Sequence, residues 1–243
     1  MTKILTVSHH LQHLLVTMTW LCVGCAPGGM GFHSLGGASD GGRITPTIYN
    51  TPRFTTGKNS CAYQEVEVTS AEGTPLARLC KSEVRNCAEQ GLCQVVDGDK
   101  ITNLGLNPKS SPSAPQFNKV DFGSCKFGFG SRENICLDPY HSIAADLSIY
   151  PLGDVIFIPE VRGTMLNDGT THDGYFVVRD SGGSIKGAGR FDFFIGFDKI
   201  DSPENAFTRL QLADTETHFS FYLITGAKAD SVRKARAYPG LAD

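Results

Sequence analysis

Along most of the chain apolar and polar residues alternate with a period of two, the pattern of strands that bury one face. "RITPTIYN" from Arg43 and "YQEVEVTS" from Tyr63 predict two early strands, the second closed by the turn "AEGTP". Between Ile143 and Gly226 five more candidates follow, "DVIFIPEV", "GYFVVRD", "RFDFFIGF", "FTRLQLAD" and "HFSFYLITG", each set off by turn residues. One segment reads differently. "PLARLCKSEVRNCAEQG" opens on Pro75, closes on Gly91 and spaces Cys80 and Cys87 two helical turns apart, which predicts a short helix with both sulfurs on one face. "NPKSSPSAPQ" reads as a surface loop, and the closing "AKADSVRKARAYPGLAD" as a loose helix or frayed tail. Short strands, glycine-rich joints and little helix predict a mainly β fold, with the second half a small closed barrel that leaves no strand edge exposed.

The amino terminus departs from this pattern. Lys3 and the apolar "LLVTMTWLCVG" from Leu14, too short to span a bilayer as a helix, predict an export signal. Its end, "CVGC", resembles a bacterial lipobox in which Gly24 precedes the lipid-bearing Cys25 and Cys22 leaves with the signal, the alternative being plain signal cleavage nearby. Glycine-rich "APGGMGFHSLGGASDGG" then suits a flexible tether. The expected organisation is a signal over residues 1–24, a tether over 25–42, and one domain over 43–227. That domain comprises a cysteine-rich part (61–136) and a barrel (about 141–227), with a tail over 228–243. An exported protein meets an oxidising compartment, and the six cysteines beyond the signal, Cys61, Cys80, Cys87, Cys93, Cys125 and Cys136, are an even set that three disulfides use up. None of the six forms a close CxxC pair, so no metal site and no cofactor are expected. A formal charge of −3 over 243 residues provides no basic field for nucleic acid.

The chemistry concentrates in "RDSGGSIKGAGRFDFFIG", which sets Asp180 and Asp192 at either side of a glycine-rich loop. Strand alternation puts Phe191, Phe193 and Ile195 on the core face of "RFDFFIG" and Arg190, Asp192 and Phe194 on the other, where spacing alone reads Asp192 as an ordinary charge on a solvated face near Arg190 sooner than as a groove carboxylate. Asp180 shares the inward face of "YFVVRD", where backbone N–H groups of the glycine loop are placed to bond it. The loop lacks the residue order of a phosphate-binding P-loop. His172 in "NDGTTHDG" and His141 read as solvated loop residues, and Phe219 and Phe221 as core at strand spacing.

Taken together, "IAADLSIYPLGDVIFIP" and "VVRDSGGSIKGAGRFDFFIG" resemble the 3D, or three-aspartate, domain, a small double-psi β-barrel of MltA-type membrane-bound lytic transglycosylases and related cell-wall proteins. The resemblance makes Asp146, Asp180 and Asp192 the three aspartates and implies that Asp192 is the catalytic acid and base. Thr45 and Thr47 would lie near the groove. Gly182, Gly183, Lys186, Gly187 and Arg190 become candidates for substrate contact, Lys186 as a holder of murein peptide carboxylates. The implied partner is the glycan strand of peptidoglycan, met in the periplasm or at the outer membrane by a protein anchored through lipid on Cys25. In such an enzyme the 6-hydroxyl of muramic acid attacks its own anomeric carbon, so one carboxyl group protonates the departing oxygen and then receives the hydroxyl proton, leaving a 1,6-anhydro sugar. That requires raising an aspartate by about two units from about 3.9, roughly 2.7 kcal/mol against the charged form. The alternatives are a wall-binding barrel without catalysis and a hydrolase in which Asp146 or Asp180 activates water.

Overall fold

The structure, a computed structural model, describes residues 37–56, 61 and 65–241. The expected export signal and the expected lipid-anchor position Cys25 lie outside the described residues. In chain order the elements are β1 (Ala38–Arg43), β2 (Thr45–Tyr49), β3 (Arg53–Thr55), β4 (Glu65–Thr69), β5 (Pro75–Cys80), α1 (Lys81–Gln90), β6 (Leu92–Asp97), β7 (Lys100–Leu106) and β8 (Phe117–Lys119). Then come β9 (Ser142–Ala144), β10 (Val155–Phe157), β11 (Tyr175–Asp180), β12 (Arg190–Phe194), α2 (Ala206–Arg209), β13 (Ser220–Ile224) and α3 (Gly226–Ala235).

Seven strands form the main sheet in the order β1-β13-β10-β11-β9-β12-β2. Its two edges, β1 and β2, are consecutive in the chain and separated by Ile44 alone, so the sheet must curl until both edges meet at that residue. Among the described residues the strand pairing does not close into a ring. The alternation read from the sequence drives this curl, because the inward positions Ile44, Ile143, Phe176, Val178, Phe191, Phe193 and Phe221 are all fully buried in one cluster. Phe191 meets Phe221 edge-to-face at 5.1 Å, and Phe176 meets Phe193 at 5.0 Å. Each such ring withdrawn from water contributes on the order of 2–3 kcal/mol.

Three expectations in this half need correction. The chain enters the sheet at Ala38, within the expected tether, because β1 pairs antiparallel with β13. "FTRLQLAD" is not a strand: Asn205, itself fully buried, accepts from Phe207 N and Thr208 N and starts the short helix α2, which sinks Phe207 into the core. Of the two forms expected for the tail, the helix is the one observed as far as Ala235, but α3 is packed rather than loose, with Ala229 and Val232 against Val155 and Val177.

The cysteine-rich part has its own core of Val68, Leu79, Val95, Leu104 and Phe117. β4 and β5 form a hairpin, and β3-β6-β7-β8 form a four-stranded sheet. The expected helix from Pro75 is half strand. Residues 75–80 pair with β4, and helix α1 begins only after Cys80, whose backbone N–H donates to the Glu83 carboxylate at 2.8 Å. Cys80 and Cys87 therefore do not share a helix face. All six expected cysteines are bridged, as Cys61–Cys80, Cys87–Cys93 and Cys125–Cys136.

Candidate active site

Asp192 sits in the middle of β12, between β2 and β9. In register, Arg190 faces Thr45, Asp192 faces Thr47 and Phe194 faces Tyr49. Period-two alternation then puts these six residues on one face, opposite the Phe191 and Phe193 that fill the core. Cross-strand proximity makes the first polar contact: the Thr47 hydroxyl donates to Asp192 Oδ1 at 2.7 Å. Phe194 is fully buried against the Tyr49 ring at 5.1 Å, so the face of Asp192 is partly apolar. Desolvation there pushes the half-buried Asp192 carboxyl up to about 6, assisted by the Asp180 charge and opposed by the Thr47 hydrogen bond and the Arg190 charge.

Asp180 stands at the end of β11 and is tied down by three donors. Ser131 Oγ (3.2 Å) and Ser181 N (2.8 Å) reach Oδ1, and the Tyr49 hydroxyl reaches Oδ2 at 3.1 Å. Burial pushes this carboxyl up, while those donors pull the other way. Tyr49 is held well above its usual value by burial and by the charges of Asp180 and then Asp192, so its hydroxyl keeps the proton it donates. The donors differ from expectation, since apart from the adjoining Ser181 they come from β2 and from the disulfide-closed loop between Cys125 and Cys136. A notch of about 190 Å³ opens beside Asp180, lined by Tyr49, Asn50, Gln90, Phe129 and Ser181 among others.

The glycine loop bonds Asp146 instead. Gly187 N donates to Asp146 Oδ2 at 3.0 Å, and Ser148 N and Oγ donate to Oδ1. These bonds, Gly187 first, hold the carboxylate down at about 2. Asp146 is thus a loop anchor, and it is not among the groups that raise Asp192. Gly189 carries the loop into β12 at φ +71°, where a Cβ would stand 2.3 Å from Arg43 O. Gly182 is half-buried, while Gly183, Lys186 and Gly187 are exposed on the loop. Arg190 bonds back onto the strands: its Nη1 donates to Thr45 O (3.2 Å), Thr47 Oγ1 (2.9 Å) and Phe191 O (3.0 Å).

Neither histidine is a solvated loop residue. His172 is buried at 1% exposure, with Nε2 on Tyr140 O and Nδ1 accepting from Gly174 N, both at 2.8 Å. His141 stacks on it at 4.5 Å. Asp173, the nearest carboxylate, is bonded by Arg236 at 2.8 Å. With both His172 nitrogens and Asp173 engaged, His141 Nδ1 is the one ring nitrogen of the pair without a partner, and a single free atom falls short of the three or four ligands of a metal site.

Sequence reading missed Ser131, Tyr49 and Arg179. Arg179 is completely buried and donates to the carbonyls of Cys136, Pro239, Gly240 and Arg236, fastening the disulfide loop and the C-terminal segment behind Asp180. An arginine inside "YFVVRD" carries no sequence signal for that role. Tyr49 was legible only as a strand residue, although its register opposite Phe194 follows once β2 and β12 are paired.

The 3D domain family matches residues 141–202, which include β9 to β12 and all three aspartates. The fold of the chain is similar to that of MltA from Escherichia coli with bound chitohexaose, at a TM-score of 0.51 and 16% identity, covering 76% of this chain and 72% of that one. Another structure of Escherichia coli MltA gives a TM-score of 0.49 at 15% identity, over 76% and 72% of the two chains. The membrane-bound lytic murein transglycosylase of Agrobacterium tumefaciens gives 0.46 at 14% identity, over 79% and 76%. Among curated protein sequences none matches the chain.

Proposed function

We propose that this chain, which carries a 3D domain on the fold of Escherichia coli MltA, is a peptidoglycan lytic transglycosylase with Asp192 as its single acid and base. The observation that carries the reading is the placement of Asp192 mid-strand within the 3D-domain match, half-buried on the sheet face it shares with Thr47 and Arg190; desolvation there, which pushes its carboxyl up to about 6, supports an acid protonated in part near neutral pH. Protonated Asp192 gives its proton to the glycosidic oxygen as the bond to the anomeric carbon breaks. The 6-hydroxyl oxygen of muramic acid bonds to that carbon, and its proton passes to the carboxylate, restoring the acid and closing a 1,6-anhydro ring. No water is consumed. The chitohexaose bound to MltA supports a β-linked amino-sugar strand as the substrate.

Asp180 and Asp146 are the second carboxylates a hydrolase would require. Each accepts three protein hydrogen bonds, which supports supporting roles for both, Asp180 as a strut beneath the site and Asp146 as the anchor of the glycine loop. Exposed Gly183 and Lys186 remain for glycan and peptide contact, and we read the curled sheet as the double-psi barrel of the 3D family. Export to the periplasm and a lipid anchor on Cys25 complete the proposal, in keeping with three disulfides. No helix among the described residues is long and apolar enough to cross a membrane.

The test is digestion of purified sacculi followed by mass spectrometry of the soluble fragments. The parent releases anhydromuropeptides, lighter by one water than hydrolase products, and Asp192→Asn lowers the rate by at least about a thousandfold. Fragments with reducing ends, or an active Asp192→Asn variant, would overturn the assignment.

A further inference from the structure

The parallel register of β2 and β12 does more than bring Thr47 to Asp192. It lines up Arg190, Thr47 and Asp192 as a chain of donors on one sheet face: Arg190 Nη1 to Thr47 Oγ1 at 2.9 Å, then Thr47 Oγ1 to Asp192 Oδ1 at 2.7 Å. Arg190 is itself fixed, because the same Nη1 also bonds Thr45 O and Phe191 O, and it forms no ion pair with any acidic side chain among the described residues. A threonine hydroxyl has one proton and rotates to suit its neighbours. A guanidinium N–H placed on its oxygen removes that freedom. The hydroxyl proton must point away from Arg190, and Asp192 Oδ1 is the acceptor in its path. A cation on the oxygen also polarises the O–H bond and strengthens the donor.

From this we infer that Arg190 is a positioning residue that acts through Thr47, locking its hydroxyl as a donor to Oδ1 so that the acid proton of Asp192 stands on Oδ2. The inference rests on the transglycosylase reading for its catalytic meaning, and it gives Arg190 a different task from substrate contact. With Oδ1 occupied by a donor that cannot turn round, a proton arriving on Asp192 has one oxygen left to bind. Among the described residues no protein donor meets Oδ2, so Oδ2 is the oxygen left to carry the proton to the glycosidic oxygen. Each turnover then returns the proton to the same atom, because the Arg190–Thr47 arrangement persists while the carboxyl group cycles between its two forms.

The experiment follows the Asp192 carboxyl carbon by 13C NMR titration in the full chain, alongside the rate of anhydromuropeptide release. Thr47→Val, which keeps the shape and removes the hydroxyl, is expected to raise the Asp192 midpoint by about one unit and to lower the rate about tenfold. Thr47→Ser restores both. Arg190→Lys keeps the charge and loses the planar fork, so it is expected to move the midpoint in the same direction when Thr47 is present and to add nothing in the Thr47→Val background. An Arg190→Lys shift of equal size in both backgrounds, or none in either, overturns the inference. The two levels separate cleanly. A parent that releases no anhydro product while the titration cycle shows the coupling sinks the enzyme reading and keeps the relay; an active parent with an additive cycle does the reverse.

Discussion

Ionising Asp192 works against the fold, and the sign of that effect can be measured. Its folded value of about 6 lies above the unfolded value of about 3.9, so between those two the folded state holds the proton that the unfolded state has released. Stability contributed by this group is present below pH 4 and is lost as the pH rises through 6. Asp192→Asn, which cannot ionise, is therefore expected to be more stable than the parent at pH 7.5 by about 1–2 kcal/mol, a rise of about 3–6 °C in Tm, and the gain should shrink toward pH 4. The two stacked histidines act in the opposite sense. Burial holds His141 down at about 2 and His172 at about 4, so as the pH falls below about 6.5 the unfolded chain takes up protons that the folded one refuses, and stability drops. His141→Phe keeps the stack on His172 and removes one titrating ring. Thermal unfolding from pH 7 to 4 should show a shallower loss in that variant, whatever its stability at pH 7.

At the scale of elements, the glycine loop divides into glycines the fold requires and glycines it leaves open. At Gly189 the backbone is left-handed and a Cβ would collide with Arg43 O at 2.3 Å, at the junction where β1 passes to β2. At Gly183 nothing lies within 4 Å of the same atom and φ is ordinary. Gly189→Ala is expected to cost about 2–4 kcal/mol in chemical denaturation, and Gly183→Ala less than about 0.5 kcal/mol. If Gly183 meets the glycan, its alanine variant raises KM for sacculi with no change in Tm. What was legible in the sequence follows the same division between local and distant causes. β2, β4, β11, β12 and β13 were readable because their alternation is local, and Phe191, Phe193 and Phe221 were placed correctly in the core. The 75–91 segment was misread at its front because Pro75 starts a strand as readily as a helix; the cap signal, Glu83 three residues after Cys80, lay further in. "FTRLQLAD" alternates like a strand, but Asn205 just before it was the stronger signal. His172 was misread because nothing in "NDGTTHDG" reveals the Tyr140 carbonyl that bonds its ring from 32 residues away. Of the candidate site, the face that Asp192 shares with Arg190 and Phe194 was readable from alternation, whereas the strut under Asp180 depends on Ser131 and Tyr49, which only long-range contacts bring there.

For the molecule as a whole, the three disulfides are of unequal consequence although two of them close loops of similar size. Cys61–Cys80 spans 19 residues and Cys125–Cys136 spans 11, so loop closure alone gives each about 3 kcal/mol. Their surroundings differ. Cys80 ends β5, on the hairpin of the cysteine-rich core, and a change there is absorbed by Val68 and Leu79. The loop between Cys125 and Cys136 lies against β11: Arg179 donates to Cys136 O, Gly130 is so close to Arg179 O that a Cβ would stand 2.1 Å from it, and Ser131 bonds Asp180. Opening that bridge frees the segment that carries Ser131, and with it one of the three donors that hold Asp180. Asp180 in turn raises Asp192 by its charge. A Cys61→Ser, Cys80→Ser pair and a Cys125→Ser, Cys136→Ser pair are thus expected to lose comparable stability, yet to part on function. Hydrogen exchange should quicken in β4 and β5 for the first, with the pH–rate profile unmoved. The second should quicken exchange around Asp180 and shift the alkaline limb of the profile, because an Asp180 that relaxes toward solvent exerts its charge on Asp192 through a higher dielectric. That weaker repulsion lets Asp192 ionise at lower pH, so the limb moves down. A limb that stays in place while Ser131 exchanges freely would mean that Asp180 holds its position without the loop, through Tyr49 and Ser181 alone.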